Sequence, residues 1–411
     1  MVSTRGFAYH VEHSAANVSS KIAYDRIQMA IRTIGIVVHG ATGRIGATQH
    51  LKNALTPIRA EGGVAVGEDR VVPQLILVGR DKERLAAIAR ENGGAPWTTD
   101  IDAALSDPRY TVLFDAAATH QRQATLEKGI AAGKHIYAEK PVALTVADGR
   151  ALLAAMTASG LKHGAVEDKQ YLPGLRKLRA LAQAGFFGRI LGFRLEFGWW
   201  VFDGLDEPCQ RPSWNYRKVG GGGLLVDMYP HFRYLIEGLL GPIRRVFTAA
   251  TTAVPERLDE AGARYAVDVE DQATTLIELK SGATGVIVAS WATRVRRDDL
   301  MTLQIDGTNG SALAGLHRCY MQSLADTPRV AAFNPTVDLA IDYRARWQEA
   351  PGAGPNLNPY RVGWEDFLRH LVADAPLCSD FAAGIRDVAF AEACGRSCRD
   401  GAWVGFDDPM D

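Results

Sequence analysis

Cysteine is scarce in this chain: there are five, Cys209, Cys319, Cys378, Cys394 and Cys398, odd in number and scattered. That excludes a disulfide framework and points to a reducing, cytoplasmic setting. Cys394 and Cys398 lie four apart in a helical pattern, but no second Cys or His pair completes a zinc set, so no metal is expected. Net charge is lacking too. The 46 basic and 47 acidic residues leave a formal charge of −1, which provides no global field to attract nucleic acid or an anionic membrane. No apolar run reaches membrane-spanning length, and the N-terminal stretch has no apolar core of the kind a signal peptide needs. Residues 1–30 read as a disordered extension, with Met29 a candidate natural start. Internal repeats, heptads and low-complexity tracts are absent as well.

What is present is ordinary globular composition, 47% hydrophobic and 23% charged over 411 residues, enough for two cores. Thr33 to His39, TIGIVVH, is an apolar β-branched run that ends at a glycine turn and passes into a helical pattern from Arg44 toward Arg59. EGGVAVGEDR reads as a loop, followed by a buried strand, Leu75 to Val78, and a helix, Glu83 to Glu91. The alternation continues with a short helix at Ile101 to Leu105, a strand at Thr111 to Ala117, a helix at Gln121 to Ala132, a strand at His135 to Ala138, and a helix at Val146 to Ser159. Strands separated by helices imply a parallel sheet covered on both faces. Past a boundary within Gly164 to Lys169 the strands lengthen and alternate: Ile190 to Trp200, Asp271 to Leu279 and Gly285 to Trp291. Such strands imply a mostly antiparallel sheet with one open face. PGAGPNLNP reads as a loop before a final helical region, Trp364 to Arg399.

HGATGRIG follows the first strand directly and places Gly40, Gly43 and Gly46 in a G-x-x-G-x-x-G variant of the dinucleotide fingerprint. Glycines let the backbone approach a pyrophosphate, whose charge then meets the free N–H groups of a helix N-terminus. Thr42, Arg44 and Ile45 would line that approach; a purely structural turn is the alternative. The strand-turn-helix setting makes the first domain, 31–166, a Rossmann dinucleotide-binding domain, with an α/β domain over 167–411. At the end of the second strand stand Gly79 and Arg80, where an NAD-preferring domain usually carries an Asp or Glu against the ribose. A guanidinium there suits a 2′-phosphate, so NADP(H) is favoured. Asp81 next door keeps NAD(H) open.

At AGKHIYAEKPVA the sequence resembles the glucose–fructose oxidoreductase/inositol dehydrogenase family, often called Gfo/Idh/MocA. The resemblance runs on through GFFGRI, GGGGLLVDMYPH, VEDQATTLIELKSGATG and GTNGS. It implies a Rossmann domain followed by an α/β domain whose open sheet makes homodimer or homotetramer contacts. Glu139, Lys140 and Pro141 match the family's signature tripeptide, whose lysine reaches both the nicotinamide region and the substrate oxygen. Asp227 and His231 match the pair that completes the catalytic site. Thr119 and His120 occupy the loop beside the nicotinamide ribose, although the family's proline is missing there.

The chemistry agrees with these roles. Taking a hydride from an alcohol carbon requires the hydroxyl proton to leave as the carbonyl forms, and an imidazole of intrinsic pKa about 6.5 suits that transfer. Lys140 would stabilise the developing alkoxide. Asp227 and His231, four apart at a helix start, share one face. The plainer alternatives are Asp227 as an N-cap with Pro230 in the first turn, His231 as a structural histidine and Lys140 as a surface lysine.

The chain departs from the family where the second domain opens. Asp168, Lys169, Gln170, Tyr171, Leu172 and Pro173 stand where an Asn-x-Arg-Phe-x-Pro-like segment is usual. Asp168 and Lys169 are candidates to bond substrate hydroxyls or a carboxylate, or to form a surface ion pair. FGWWVFDG and QRPSWNYR form an aromatic and basic insertion. Trp214 and Tyr216 are candidate sugar-stacking residues, and Arg211 or Arg217 a clamp for an acid group. Trp199, Trp200 and Phe202 suit an oligomer interface equally well, as do Arg294, Arg296 and Arg297. The expected function is hydride transfer between a nicotinamide cofactor and a sugar, inositol, sugar acid or related polyol. Internal redox or glycoside cleavage with a retained cofactor, and non-catalytic nucleotide binding, are the alternatives.

Overall fold

A computed structural model of the chain describes residues 30–209, 211–297, 299–329 and 341–410. Nearly all of the expected extension, 1–29, lies outside the described residues. None of the described helices is long and apolar enough to cross a membrane.

The first sheet contains β1 (Ile31–His39), β2 (Val64–Val66), β3 (Asp69–Val78), β4 (Trp97–Thr98), β5 (Tyr110–Asp115), β6 (His135–Ala138) and β7 (His163–Ala165). Ile36, Val37 and Val38 are buried in succession, as a strand covered by helices on both sides requires. The parallel strands lie in the order β4-β3-β1-β5-β6-β7. Counted among themselves they run 3-2-1-4-5-6, the doubly wound order that opens a crevice at the carboxyl ends of β1 and β5. EGGVAVGEDR is not a loop. Val64–Val66 pairs antiparallel with Asp69–Val71, because Val64 and Val71 bury themselves on one face of the hairpin.

The second sheet has nine strands: β8 (Ile190–Gly198), β9 (Ile243–Thr251), β12 (Gln272–Leu279), β13 (Thr284–Ser290), β14 (Met301–Gly307), β15 (Gly310–Ala314), β16 (Cys319–Ser323), β17 (Gln348–Glu349) and β18 (Val404–Gly405). A separate hairpin joins β10 (Glu256–Leu258) to β11 (Arg264–Ala266). The nine lie in the order β17-β16-β15-β14-β8-β13-β12-β9-β18, and only the β8/β13 pair is parallel. Alternation sends Phe193, Leu195, Ile277, Ile287 and Leu303 into a core shared with the helix Leu224–Leu240. The opposite face carries Leu276 and Val288, exposed by 46% and 42%.

The final helical region is two helices, Pro359–Ala373 and Phe381–Asp400, separated where Asp374 takes φ of 52°. Although 167–411 reads as one later domain, Pro359–Ala373 returns to the first core. Trp364, Phe367 and Leu368 are fully buried there among Ile36, Val38, Phe114 and Tyr137. Phe381–Asp400 spans both domains: Phe381 and Ile385 join the Rossmann core, whereas Phe390 and Cys394 join the second.

Candidate active site

The glycine loop closes on itself at the end of β1. Gly40 takes φ of 77°, and a Cβ there would lie 2.6 Å from the Ala116 carbonyl carbon. Gly43 N–H donates to Gly40 O at 2.9 Å and Ala47 N–H to Gly43 O at 2.8 Å. The result is bare backbone entering Ile45–Leu55, a helix wound in the wide π pattern. Gly40 and Gly46 let the turn pack against its own backbone, and the exposed Gly43 leaves the outer side of the loop open for a pyrophosphate to approach, so the loop fits a dinucleotide. Thr42 packs against Gly79, while Gly43 and Arg44 are exposed and Ile45 half-buried. Arg80 is also exposed, whereas Asp81 caps the next helix by accepting the Arg84 N–H at 3.0 Å. Across the crevice, Thr119 is buried at the start of its helix and His120 is exposed.

The chain leaves β6 through Glu139, Lys140 and Pro141, with a cis Lys140–Pro141 bond. Lys140 Nζ donates to Asp227 Oδ1 at 2.7 Å and to the Asp227 carbonyl at 2.8 Å. Arg211 donates to the other carboxylate oxygen. Asp227 does not cap its helix. Gly223 holds the N-cap position at φ of 121°, where an added Cβ would strike Glu270, so Asp227 falls at the end of the first turn and Pro230 in the second. Burial alone would raise the Asp227 pKa, but Arg211 and then Lys140 outweigh it and hold the carboxyl well below its ordinary range.

His231 lies one turn on and is buried. Its Nδ1 is 2.8 Å from the Tyr234 hydroxyl, which accepts the Lys169 N–H at 3.0 Å. Asp168, ion-paired to Lys169 at 2.7 Å, stands 3.7 Å from the same nitrogen. Burial first, then the charges of Lys169, Lys140 and Arg211, press the His231 pKa well below its usual value. The imidazole therefore rests neutral and ready to accept a proton, beside an ammonium able to bond the same substrate oxygen.

Other expectations meet different fates. Tyr216 is fully buried: its hydroxyl donates to Phe202 O at 2.8 Å and its ring lies under Arg257 at 4.3 Å. It is a core residue, not a sugar platform. Arg211 is no free acid clamp, because Asp227 already holds it and the Phe202 and Trp291 rings flank it at 4.7 and 4.8 Å. Trp214 is half-buried against Gly220. Arg217 lies over Tyr265 at 4.4 Å, and Arg297 bonds Glu196 at 3.3 Å. Trp199 and Trp200 stack at 5.7 Å; Arg294 and Arg296 are exposed.

Four residues around the Glu139–Lys140 turn belong to no motif. Arg122, buried, bonds Asp115 at 2.9 Å, the Ala117 carbonyl at 2.9 Å and the Pro141 carbonyl. His50 bonds Glu139 and Trp364. An Asp ending a buried strand seven residues before an Arg was a signal for the first pair. Nothing local marked His50 or Trp364, which lie 314 residues apart.

Comparison with known proteins agrees with this geometry. Residues 34–165 match the model described as the oxidoreductase family, NAD-binding Rossmann fold, and residues 175–313 match the GFO/IDH/MocA C-terminal domain. A D-xylose dehydrogenase of Paenarthrobacter nicotinovorans is 42% identical over 365 residues, covering 87% of this chain and 94% of that protein. A levoglucosan dehydrogenase of Pseudarthrobacter phenanthrenivorans is 28% identical over 257 residues, 59% of this chain and 65% of the relative. Among solved structures, levoglucosan dehydrogenase in complex with NADH and L-sorbose superposes with a TM-score of 0.75 at 24% identity, covering 92% of this chain and all of that one. That likeness establishes the fold.

Proposed function

The chain belongs to the Gfo/Idh/MocA oxidoreductase family, with an NAD-binding Rossmann domain, and from that premise we propose that it oxidises a hydroxyl carbon of an aldose such as D-xylose or of a related polyol. The observation that carries this reading is Lys140 meeting Asp227 beside a neutral, buried His231. When bound, the nicotinamide dinucleotide supplies the hydride acceptor. Lys140 donates to the substrate oxygen as it gains alkoxide character. His231 takes the hydroxyl proton on Nε2, which is open to accept in the tautomer whose Nδ1–H donates to the Tyr234 hydroxyl. Asp227 orients the ammonium and shares its one negative charge between Lys140 and Arg211. The substrate thus loses one hydride and one proton and becomes a carbonyl compound.

The test is dinucleotide reduction with D-xylose, levoglucosan and inositol as substrates. Substrate-dependent reduction supports the reading. Tight dinucleotide binding without turnover of any of them would favour a nucleotide-binding role, and conversion without net reduction a retained, recycled cofactor.

The finer choice of dinucleotide rests on Arg80. Its guanidinium is exposed and unpaired among the described residues, while the Asp81 carboxylate is taken by the helix N-terminus. Both features support NADP(H) over NAD(H). Fluorescence titration with NADPH and NADH decides it: Arg80→Ala should weaken NADPH far more than NADH, and equal losses would remove Arg80 from the choice.

The apolar outer face of the second sheet supports a homodimer or homotetramer, and five free thiols support a reducing, cytoplasmic compartment.

A further inference from the structure

His50 sits fully buried in Ile45–Leu55, the helix that issues from the glycine loop. Buried polar atoms need partners, and both ring nitrogens have one. The Trp364 indole, which can only donate, places Nε1 3.0 Å from His50 Nδ1. Nδ1 is therefore the acceptor, and the ring proton lies on Nε2. That nitrogen is 2.8 Å from Glu139 Oε1, so it donates to the carboxylate. The other carboxylate oxygen, Oε2, accepts the backbone N–H of Lys140 at 3.1 Å. Phe114 and Tyr360 wall the imidazole at 4.3 and 5.0 Å. One continuous set of bonds thus runs from the helix Pro359–Ala373, through the helix of the cofactor loop, into the residue whose ammonium meets Asp227.

We propose that His50 is a positioning residue for Lys140: held in one tautomer by Trp364, it fixes Glu139 and with it the turn that presents the lysine to Asp227 and the reacting oxygen. Because His50 belongs to the helix Ile45–Leu55, the same bonds tie that turn to the loop fitted for the dinucleotide. Glu139 is faced by His50, Lys140 and Arg122, with the phenols of Tyr137 and Tyr360 nearby. Burial would raise its pKa; the His50 hydrogen bond leads the groups that hold it low instead.

The inference rests on the proposed dehydrogenase activity, so its test carries readouts that need no turnover. Full-length wild type, His50→Leu, His50→Gln and Trp364→Phe are compared for melting, dinucleotide affinity, kcat, KM and pH profile. In His50→Leu, kcat should fall about 10- to 100-fold, as expected when a reacting group is misplaced by about 1 Å, with dinucleotide Kd changed by less than about threefold. Its acidic limb should move to higher pH as Glu139 loses its donor. His50→Gln, which retains a donor, should recover most of the rate. A folded His50→Leu protein with wild-type kcat and pH profile overturns the proposal, as does a Gln variant no better than Leu. Should His50→Leu not fold, Trp364→Phe decides, with a several-fold drop in kcat expected and none overturning it. In wild type free of ligand, the nitrogen NMR signals assigned to His50 should show a protonated Nε2 and a bare Nδ1. The reverse tautomer overturns the proposal even if no sugar is turned over, whereas inactivity of wild type on every sugar counts against the dehydrogenase reading alone.

Discussion

One helix, Leu224–Leu240, carries two buried charge clusters of opposite balance. Around Asp227 and His231 stand Lys140, Arg211 and Lys169, with Asp168 behind, so cations outnumber carboxylates. Two residues past His231, Arg233 turns to other partners and meets Asp387 at 2.6 Å, Glu167 at 3.2 Å and Glu237 at 3.3 Å. There the carboxylates outnumber the cation. Burial amplifies each surplus. The positive one keeps His231 neutral and Asp227 ionised. The negative one, after burial itself, drives the pKa values of Glu167 and Asp387 upward, Asp387 to about 7. The second cluster thus favours a bound proton, and its ion pairs tie together the domain junction, the Asp227 helix and Phe381–Asp400; in the first, the neutral imidazole keeps a site for one.

The largest expected effect tests the first cluster. Lys140→Met should reduce kcat by about 10³-fold or more, because it removes the donor aimed at the developing negative charge. Dinucleotide affinity, set mainly by the glycine loop, should change only a few-fold. A variant with near-normal turnover would take Lys140 out of the chemistry. Arg233→Met addresses the second cluster. It strips the cation from three carboxylates, and an uncompensated buried charge costs about 3–5 kcal/mol. Denaturant unfolding should register that loss in full, and an unchanged midpoint would mean that the carboxyls are already neutral without the arginine.

The two clusters were unequally legible in the sequence. Lys140, Asp227 and His231 sit in ordered motifs, and the strand-helix alternation placed Lys140 at the carboxyl edge of a parallel sheet. Arg233, Glu167 and Asp387 carry no motif. Their meeting depends on how Phe381–Asp400 lies across two domains, which its helical periodicity does not specify. The same limit hid His50, an ordinary residue in a helical pattern until Trp364 arrives from the far end of the chain. Tyr216 shows the converse. An aromatic and basic insertion reads as a ligand surface, but the turn Ser213–Tyr216 points that ring inward beneath Arg257. Strand alternation is a local property and was readable in β8, β12 and β13; the burial of a side chain in an irregular insertion is decided by its neighbours.

The smallest effect tests the raised pKa of Asp387. The folded pKa of Asp387 is raised from an unfolded value of about 3.9 to about 7. Its contribution to stability is thus complete below about pH 3.9 and is lost as pH rises through about 7. Asn at this position has no proton to lose. Asp387→Asn should therefore be less stable than wild type at pH 5, where it lacks the bond to Arg233. The gap should narrow by roughly 2–3 kcal/mol by pH 8, as wild type loses what the variant never had. His231 works in the opposite direction: its depressed pKa costs stability as pH falls below about 6.5. It is present in both proteins, however, so its contribution cancels in the difference. A gap of equal size at pH 5 and pH 8 would show that Glu167 and Asp387 do not exchange a proton in this range. The contrast between the two clusters would then be one of charge number alone.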